Sequence, residues 1–325
     1  MQHLLLGINP LNLALYPYVP VIQDPVVVQS FKIGVNINPF GKVYIFPNIA
    51  AFIGGDTVGV ILATGLHQKN KKIRLAVDIG TNGEIVLSYK GKLIAASTAA
   101  GPAFEGARIT QGMWAQKGAI EKVKLEEGKV IVQTIGGGEP QGICGSGLID
   151  IVSELYREGI IDISGRIKSP EEQPDVWKKR VVRDENGSKF ILVEREKKPH
   201  LFISQKDIRE FQLAKAAICT GIKMLLMFSN IEREHIEEVL IAGAFGNYIN
   251  IQNAFQIGLF PTFPNAEIKN VGNAASMGAI KALLSKTYRK EAEKIPSQVQ
   301  YVELAANPHF QDILTESILL GEQGN

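Results

Sequence analysis

Leu75-Ala76-Val77-Asp78-Ile79-Gly80-Thr81-Asn82-Gly83-Glu84-Ile85-Val86 is the stretch whose reading decides the fold. An apolar run ends in Asp-x-Gly-Thr, a tight turn carries the Asn-Gly hairpin signal, and a second apolar run leads back. Lys90-Gly91-Lys92 turns the chain once more, so residues 74–97 read as a three-stranded antiparallel meander. Asn82-Gly83 alone would be an ordinary hairpin turn. Preceded by Asp78 and Gly80, it offers backbone amides and the Thr81 hydroxyl where phosphate oxygens can approach without a large side chain between. The Asp78 carboxylate suits a hydrated magnesium ion, which prefers oxygen ligands and keeps several waters.

Downstream, Pro102 opens a short helix expected over residues 103–112. Residues 165–198 hold 17 charged side chains and the turn Glu185-Asn186-Gly187, which reads as a solvated β insertion. A long helix follows over residues 205–229, with apolar positions at helical spacing from Ile208 to Leu225. Then come a buried strand at 238–242, a helix at 252–257, a strand at 267–271 and a helix at 275–285. Three antiparallel strands followed by strands joined through helical crossovers is the layout of one actin-like (ribonuclease H-like) subdomain, so the fold class is α/β. Upstream, residues 1–72 carry a Pro-rich connection, a strand near 43–46 and a helix around 56–66, starting inside an apolar pattern without a cap. They read as the C-terminal remnant of a first, incomplete subdomain, which places upstream sequence before Met1. Residues 73–290 form the second subdomain with its insertion at about 160–204, and residues 291–325 supply a final strand and helix.

Three further motifs bear on chemistry. Leu240-Ile241-Ala242-Gly243-Ala244-Phe245-Gly246-Asn247-Tyr248 is a strand opening into a small-residue loop, which serves either tight packing or close approach of a flat ligand. Its two glycines do not make a dinucleotide-binding fingerprint. In Gly142-Ile143-Cys144-Gly145-Ser146-Gly147, Ser146 reads as a helix cap with some capacity for an anion, and Cys144 as a packed thiol. Gly272-Asn273-Ala274-Ala275-Ser276-Met277-Gly278-Ala279 has side chains small enough for close helix approach, which serves plain helix packing or, as in actin-like ATPases, a hinge. The five histidines lack metal-ligand spacing, and neither a Walker loop nor a Gly-x-Ser-x-Gly elbow occurs.

Composition narrows the classes further. With 45% hydrophobic and 21% charged residues, the chain can bury ordinary cores. A net charge of +2 gives no case for nucleic acid as a partner. Its apolar runs are too short for a membrane helix and its start lacks a secretory signal, so the expected location is the cytoplasm. Two cysteines cannot furnish the four thiolates of a ferredoxin cluster.

Taken together, residues 78–84, Ala100-Gly101-Pro102-Ala103-Phe104-Glu105-Gly106-Ala107, residues 143–150, Asp207-Ile208-Arg209-Glu210 with Gln212-Leu213-Ala214-Lys215, and residues 242–248 resemble the reductive activators of corrinoid proteins. The likeness covers nearly the whole chain. It implies an actin-like domain of the acetate and sugar kinase/Hsc70/actin superfamily that binds ATP with Mg2+. In that family, hydrolysis is coupled to electron transfer, which reduces cob(II)alamin to cob(I)alamin in a methyl-transferring corrinoid protein. By this resemblance Asp78, Gly80, Thr81, Asn82 and Gly83 form the second phosphate turn, Gly243, Ala244 and Gly246 the adenosine loop, and Asp78 organises the metal or the attacking water. It implies a [2Fe-2S] cluster on an N-terminal ferredoxin-like domain or partner as electron source. The upstream Asp-x-Gly-Thr-Thr turn of the first subdomain is absent from this sequence. Since the phosphates of such a site are clamped from both sides, half a clamp is expected to bind ATP weakly. Surface left bare predicts self-association, a homodimer being its simplest form. A superfamily small-molecule kinase and a non-catalytic docking module are the alternatives.

Overall fold

Strand β3 (Arg74–Ile79), β4 (Gly83–Tyr89) and β5 (Lys92–Thr98) form the expected meander, with Asp78 opposite Glu84 and Ile79 opposite Gly83. The structure, a computed structural model, describes residues 2–243 and 248–321. Before the meander lie α1 (Gln2–Leu5), α2 (Leu11–Ala14), a separate hairpin of β1 (Val26–Gln29) and β2 (Lys42–Ile45), and α3 (Gly55–Thr64). After it come β6 (Ala119–Glu126), β7 (Lys129–Thr134), β8 (Gly142–Ile143), α4 (Gly145–Arg157), β9 (Val181–Asp184), β10 (Gly187–Val193) and β11 (Leu201–Ser204). The remainder is α5 (Gln205–Ser229), β12 (Glu238–Ala242), α6 (Ile251–Gln256), β13 (Glu267–Gly272), α7 (Ala274–Leu284), α8 (Lys286–Lys294), β14 (Val299–Tyr301) and α9 (Phe310–Ile318).

A six-stranded sheet in the order β13-β12-β3-β4-β5-β14 is the frame. β12 runs parallel to β3 with Ala242 beside Asp78, so the carboxylate ends of the first hairpin and the exit of β12 share one edge. The strands are apolar on both sides because both faces are covered. Leu75, Val77, Ile79, Ile85 and Leu87 enter one core with α4 and α5, whereas Ala76, Val86, Ala95 and Leu240 enter the other with α3 and α7. Helix α5 starts on a capping box, with Asp207 N–H donating to Ser204 Oγ at 3.2 Å and Ser204 N–H to Asp207 Oδ2 at 2.9 Å. It ends on left-handed Asn230. It is also the one helix among the described residues long and apolar enough to cross a membrane, and 78% of its apolar window is buried in the protein, as befits a core helix.

Helices α3 and α7 cross where side chains vanish. A methyl on Gly59 would stand 2.7 Å from the Ala275 carbonyl oxygen, and one on Gly278 would collide with the Gly59 carbonyl. The small-residue run 272–279 therefore meets a helix from the N-terminal segment at close range.

Several expectations need correction. Residues 103–112 are not a helix: a 3-10 turn Pro102–Glu105 ends at left-handed Gly106, and Arg108 is left-handed too. Asp207 pulls this loop down, accepting from Thr110 N–H at 2.7 Å and from Thr110 Oγ at 2.8 Å. The charged insertion does fold as strands with the turn at Glu185-Asn186, but it is solvated on one side only. Trp177, Val181, Phe190 and Ile203 belong to the main core. The sheet β7-β6-β8 was not foreseen. Ser146 is not the cap of α4: Cys144 holds that position, and Ser146 is buried in the first turn with its Oγ 3.4 Å from Cys144 Sγ.

Candidate functional site

The turn after β3 is drawn tight by its own backbone. Gly80 N–H donates to Asn82 O at 2.9 Å, and Gly101 N–H donates to Thr81 O at 2.8 Å, tying it to the loop after β5. The Thr81 hydroxyl donates to Glu105 Oε1 at 2.6 Å. No hydrogen bond within the described residues uses the backbone N–H of Thr81 or Asn82, and both residues are exposed, so these two donors face outward. Gly83 is different. It is buried in the sheet opposite Thr98, where a methyl would come 3.1 Å from Ile218 Cγ1, so its lack of a side chain serves packing against α5.

Asp78 is half-buried, and no hydrogen bond from another described residue reaches its carboxylate. Burial, then the negative charge of Asp56, raises its pKa to about 6. Opposite it on β4, burial and the charges of Asp56 and Asp78 push Glu84 up to about 8, against the stabilising hydrogen bond from the Asn82 side chain. Asp56 was not singled out from the sequence. It lies in the first turn of α3, Oδ1 accepting from Thr57 N–H at 2.8 Å, and is aimed at the site because α3 packs on the sheet face beside α7. The pair Gly54-Gly55 before an acidic first turn was the available signal.

Gly243, with φ +114, closes the site from the β12 side: a methyl there would be 2.5 Å from Ile79 O and 3.2 Å from Asp78 Oδ1. Ala244 and Gly246, the rest of the expected adenosine loop, lie outside the described residues. Asp78, Gly80, Gly243 and Asn273 line one cleft of about 410 Å³ together with Cys144, Ser146, Trp114 and Tyr248. Thus the structure brings Asp78, Gly80 and Gly243 together, sets Thr81 and Asn82 on the adjoining turn, and leaves Gly83 in the packing beneath.

Among the described residues no three His, Cys, Asp or Glu side chains converge as a ligand set for a metal. A site with few protein ligands suits a cation that keeps several of its waters, as Mg2+ does. A free half-buried carboxylate below a glycine cradle fits such a group.

A meander whose first strand ends in Asp-x-Gly-Thr, flanked by a parallel strand that exits through glycine and by two crossing helices, defines an actin-like α/β domain of nucleotide-handling type. Residues 72–325 match the family described as the C-terminal domain of RACo, the ASKHA domain, and residues 1–69 match the RACo middle region. The chain belongs to this family of reductive activators. It is 40% identical, over 99% of its length and 55% of the relative, to corrinoid activation enzyme RamQ of Eubacterium limosum. It is 28% identical, over 87% of its length and 52% of the relative, to the [Co(II) methylated amine-specific corrinoid protein] reductase of Methanosarcina barkeri. A solved reductive activator for corrinoid, iron-sulfur protein superimposes with a TM-score of 0.90 at 41% identity, covering 98% of this chain and 51% of that one. The chain spans about half the length of these relatives.

Proposed function

We propose that this chain binds ATP with Mg2+ in the cleft above Asp78 and is the ATP-handling part of an activator that drives reduction of cob(II)alamin to cob(I)alamin in a corrinoid methyl-transfer protein. The observation that carries the reading is the free, half-buried Asp78 carboxylate beneath Gly243 and beside the open N–H groups of Thr81 and Asn82. One relative's name, a corrinoid activation enzyme, and another's, a reductase of a Co(II) corrinoid protein, support the partner and the reaction. The electron comes from a [2Fe-2S] ferredoxin-like domain or protein outside these residues, since two cysteines cannot hold such a cluster.

In this reading the chain's residues divide the work by charge. Bound Mg2+ supplies positive charge to the phosphate oxygens on which negative charge builds in the transition state. Asp78, ionised above pH 6, would hold the metal. The N–H groups of Thr81 and Asn82 receive phosphate oxygens. Asp56, arriving on α3, orients the attacking water and accepts its proton.

Calorimetry of Mg-ATP on the chain, with phosphate release measured alongside, tests the reading. Asp78→Asn is expected to abolish detectable binding, and Asp56→Asn to keep binding while lowering phosphate release about 100-fold. Unchanged ATP affinity in Asp78→Asn would sink the assignment. Phosphate appearing on an added small molecule instead of free in solution would favour a kinase.

A further inference from the structure

Two large aromatic side chains at the cleft mouth have no place in the phosphate chemistry. Trp114 is 79% exposed and Tyr248 is 59% exposed, yet both line the same cleft as Asp78 and Gly243. A tryptophan left in water forgoes burial of some 150–250 Å² of ring surface, and here no described aromatic residue stacks on it.

Both are set on firm ground. The loop before Trp114 is wound so tightly that a methyl on Gly112 would collide with the Gly106 carbonyl. Met113 N–H donates to Ile143 O at 2.9 Å, and Ile143 N–H to Gln111 O at 2.9 Å, pinning the residue before Trp114 to the strand that leads into α4. Tyr248 stands just before buried Ile249 and Asn250, whose side chain accepts from the N–H groups of Gln252 and Asn253 at the start of α6. The next tie leads to α4 again: Asn253 Nδ2 donates to Asp150 Oδ1 at 2.6 Å. The loop bearing Trp114 is thus fastened to the strand just ahead of α4 and the segment bearing Tyr248 to α4 itself, and Cys144, Gly145 and Ser146 at the join line the cleft with them.

The geometry points to Trp114 and Tyr248 as an aromatic clamp that stacks the planar base of the nucleotide whose phosphates lie over Asp78. This assignment rests on the nucleotide reading above and adds to it the residues that tell a nucleoside triphosphate from a bare polyphosphate. Ordering cost is small because the residue before Trp114 and the residues after Tyr248 are already tied into the fold. Base–aromatic stacking accepts any base, so the clamp contributes affinity while selection among bases falls to other groups.

Affinities of Mg-ATP and Mg-tripolyphosphate are measured for the unaltered chain, Trp114→Ala, Trp114→Phe and Tyr248→Ala. The expected result is an ATP affinity about tenfold weaker in each alanine variant, tripolyphosphate affinity unchanged, and most of the loss restored by Trp114→Phe. ATP should also quench the fluorescence of Trp114 in the unaltered chain; the other tryptophan, Trp177, is 1% exposed and serves as an internal reference. Because both side chains are exposed, the variants should melt as the parent does. ATP affinity unchanged in both alanine variants overturns the clamp and leaves the nucleotide reading standing. Equal loss for ATP and tripolyphosphate also overturns it, as the rings would then act on the phosphates. Failure of the unaltered chain to bind ATP removes the clamp and the nucleotide reading together.

Discussion

Gly243 stands over Asp78 with no room for a side chain between them: a methyl on Gly243 would lie 3.2 Å from Asp78 Oδ1 and 2.5 Å from Ile79 O. Its φ of +114 is a backbone conformation that L side chains rarely adopt, and its N–H is held by Gly272 O at 3.0 Å. This contact joins the exit of β12 to the end of β3 and leaves the carboxylate open toward the cleft. Gly243→Ala is expected to cost about 1–3 kcal/mol of folding stability through strain alone. It should also abolish Mg-ATP binding at ligand concentrations that saturate the parent. A variant that melts normally and binds ATP normally would show that the close approach has no part in the site.

The three acidic groups at this edge predict a pH signature. Burial and Asp56 hold Asp78 near pKa 6, and burial with Asp56 and Asp78 holds Glu84 near 8, both above the ordinary carboxylate range. A carboxyl whose folded pKa is raised contributes stability that is full below its unfolded pKa, about 4, and is lost as pH rises through the folded value. The ligand-free chain should therefore melt at a lower temperature at pH 8 than at pH 5, and Glu84→Gln should flatten the upper part of that decline. Bound cation favours the ionised forms, so Mg-ATP should displace protons near pH 7. Calorimetry in two buffers of different ionisation enthalpy reads this directly. An apparent binding enthalpy independent of the buffer would refute the raised values.

How much of this could be read beforehand depended on the range of the forces involved. The meander was legible because Asn82-Gly83 and Lys90-Gly91 mark its turns and because residues 75–77 and Ile79 are apolar on both faces of a covered sheet. Helix α5 was legible through its spacing. The sheet of β6 and β7 alternates in and out just as clearly, with Val123 and Leu125 inward, but its turn is Glu127-Gly128 with Glu127 at φ +50, not an Asn-Gly pair. Asp56 could not be placed from local pattern: it reaches the site only because α3 lies against α7 at Gly59, a contact more than 200 residues apart in sequence. Asp207 was visible as an acidic residue near the start of α5, but not its grip on Thr110, which turns an expected helix into a loop. The exposure of Trp114 likewise follows from tertiary structure alone.

That same helix crossing carries the last prediction. Gly278→Ala should gain up to about 1 kcal/mol from helix propensity, since it lies inside α7. Against this, the added methyl would collide with the Gly59 carbonyl, and Gly59 itself already approaches Ala275 O so closely that its own methyl would sit at 2.7 Å. The partner atoms are backbone, held on the α3 side by the buried side chains Val58, Val60, Ile61 and Leu62, so the axes must part. Overpacking of this kind costs about 1–3 kcal/mol, and parting the axes also weakens the bond from Lys281 Nζ to Ala63 O at 2.9 Å. The clash wins, and the melting temperature should fall by a few degrees. Met277→Ala, one position away and 50% exposed, keeps the crossing intact and should leave it nearly unchanged. If Gly278→Ala melts at or above the parent, the helices are free to separate. Asp56 on α3 is then not held in place by this contact, and its effect on Asp78 should vary with whatever else binds the N-terminal segment.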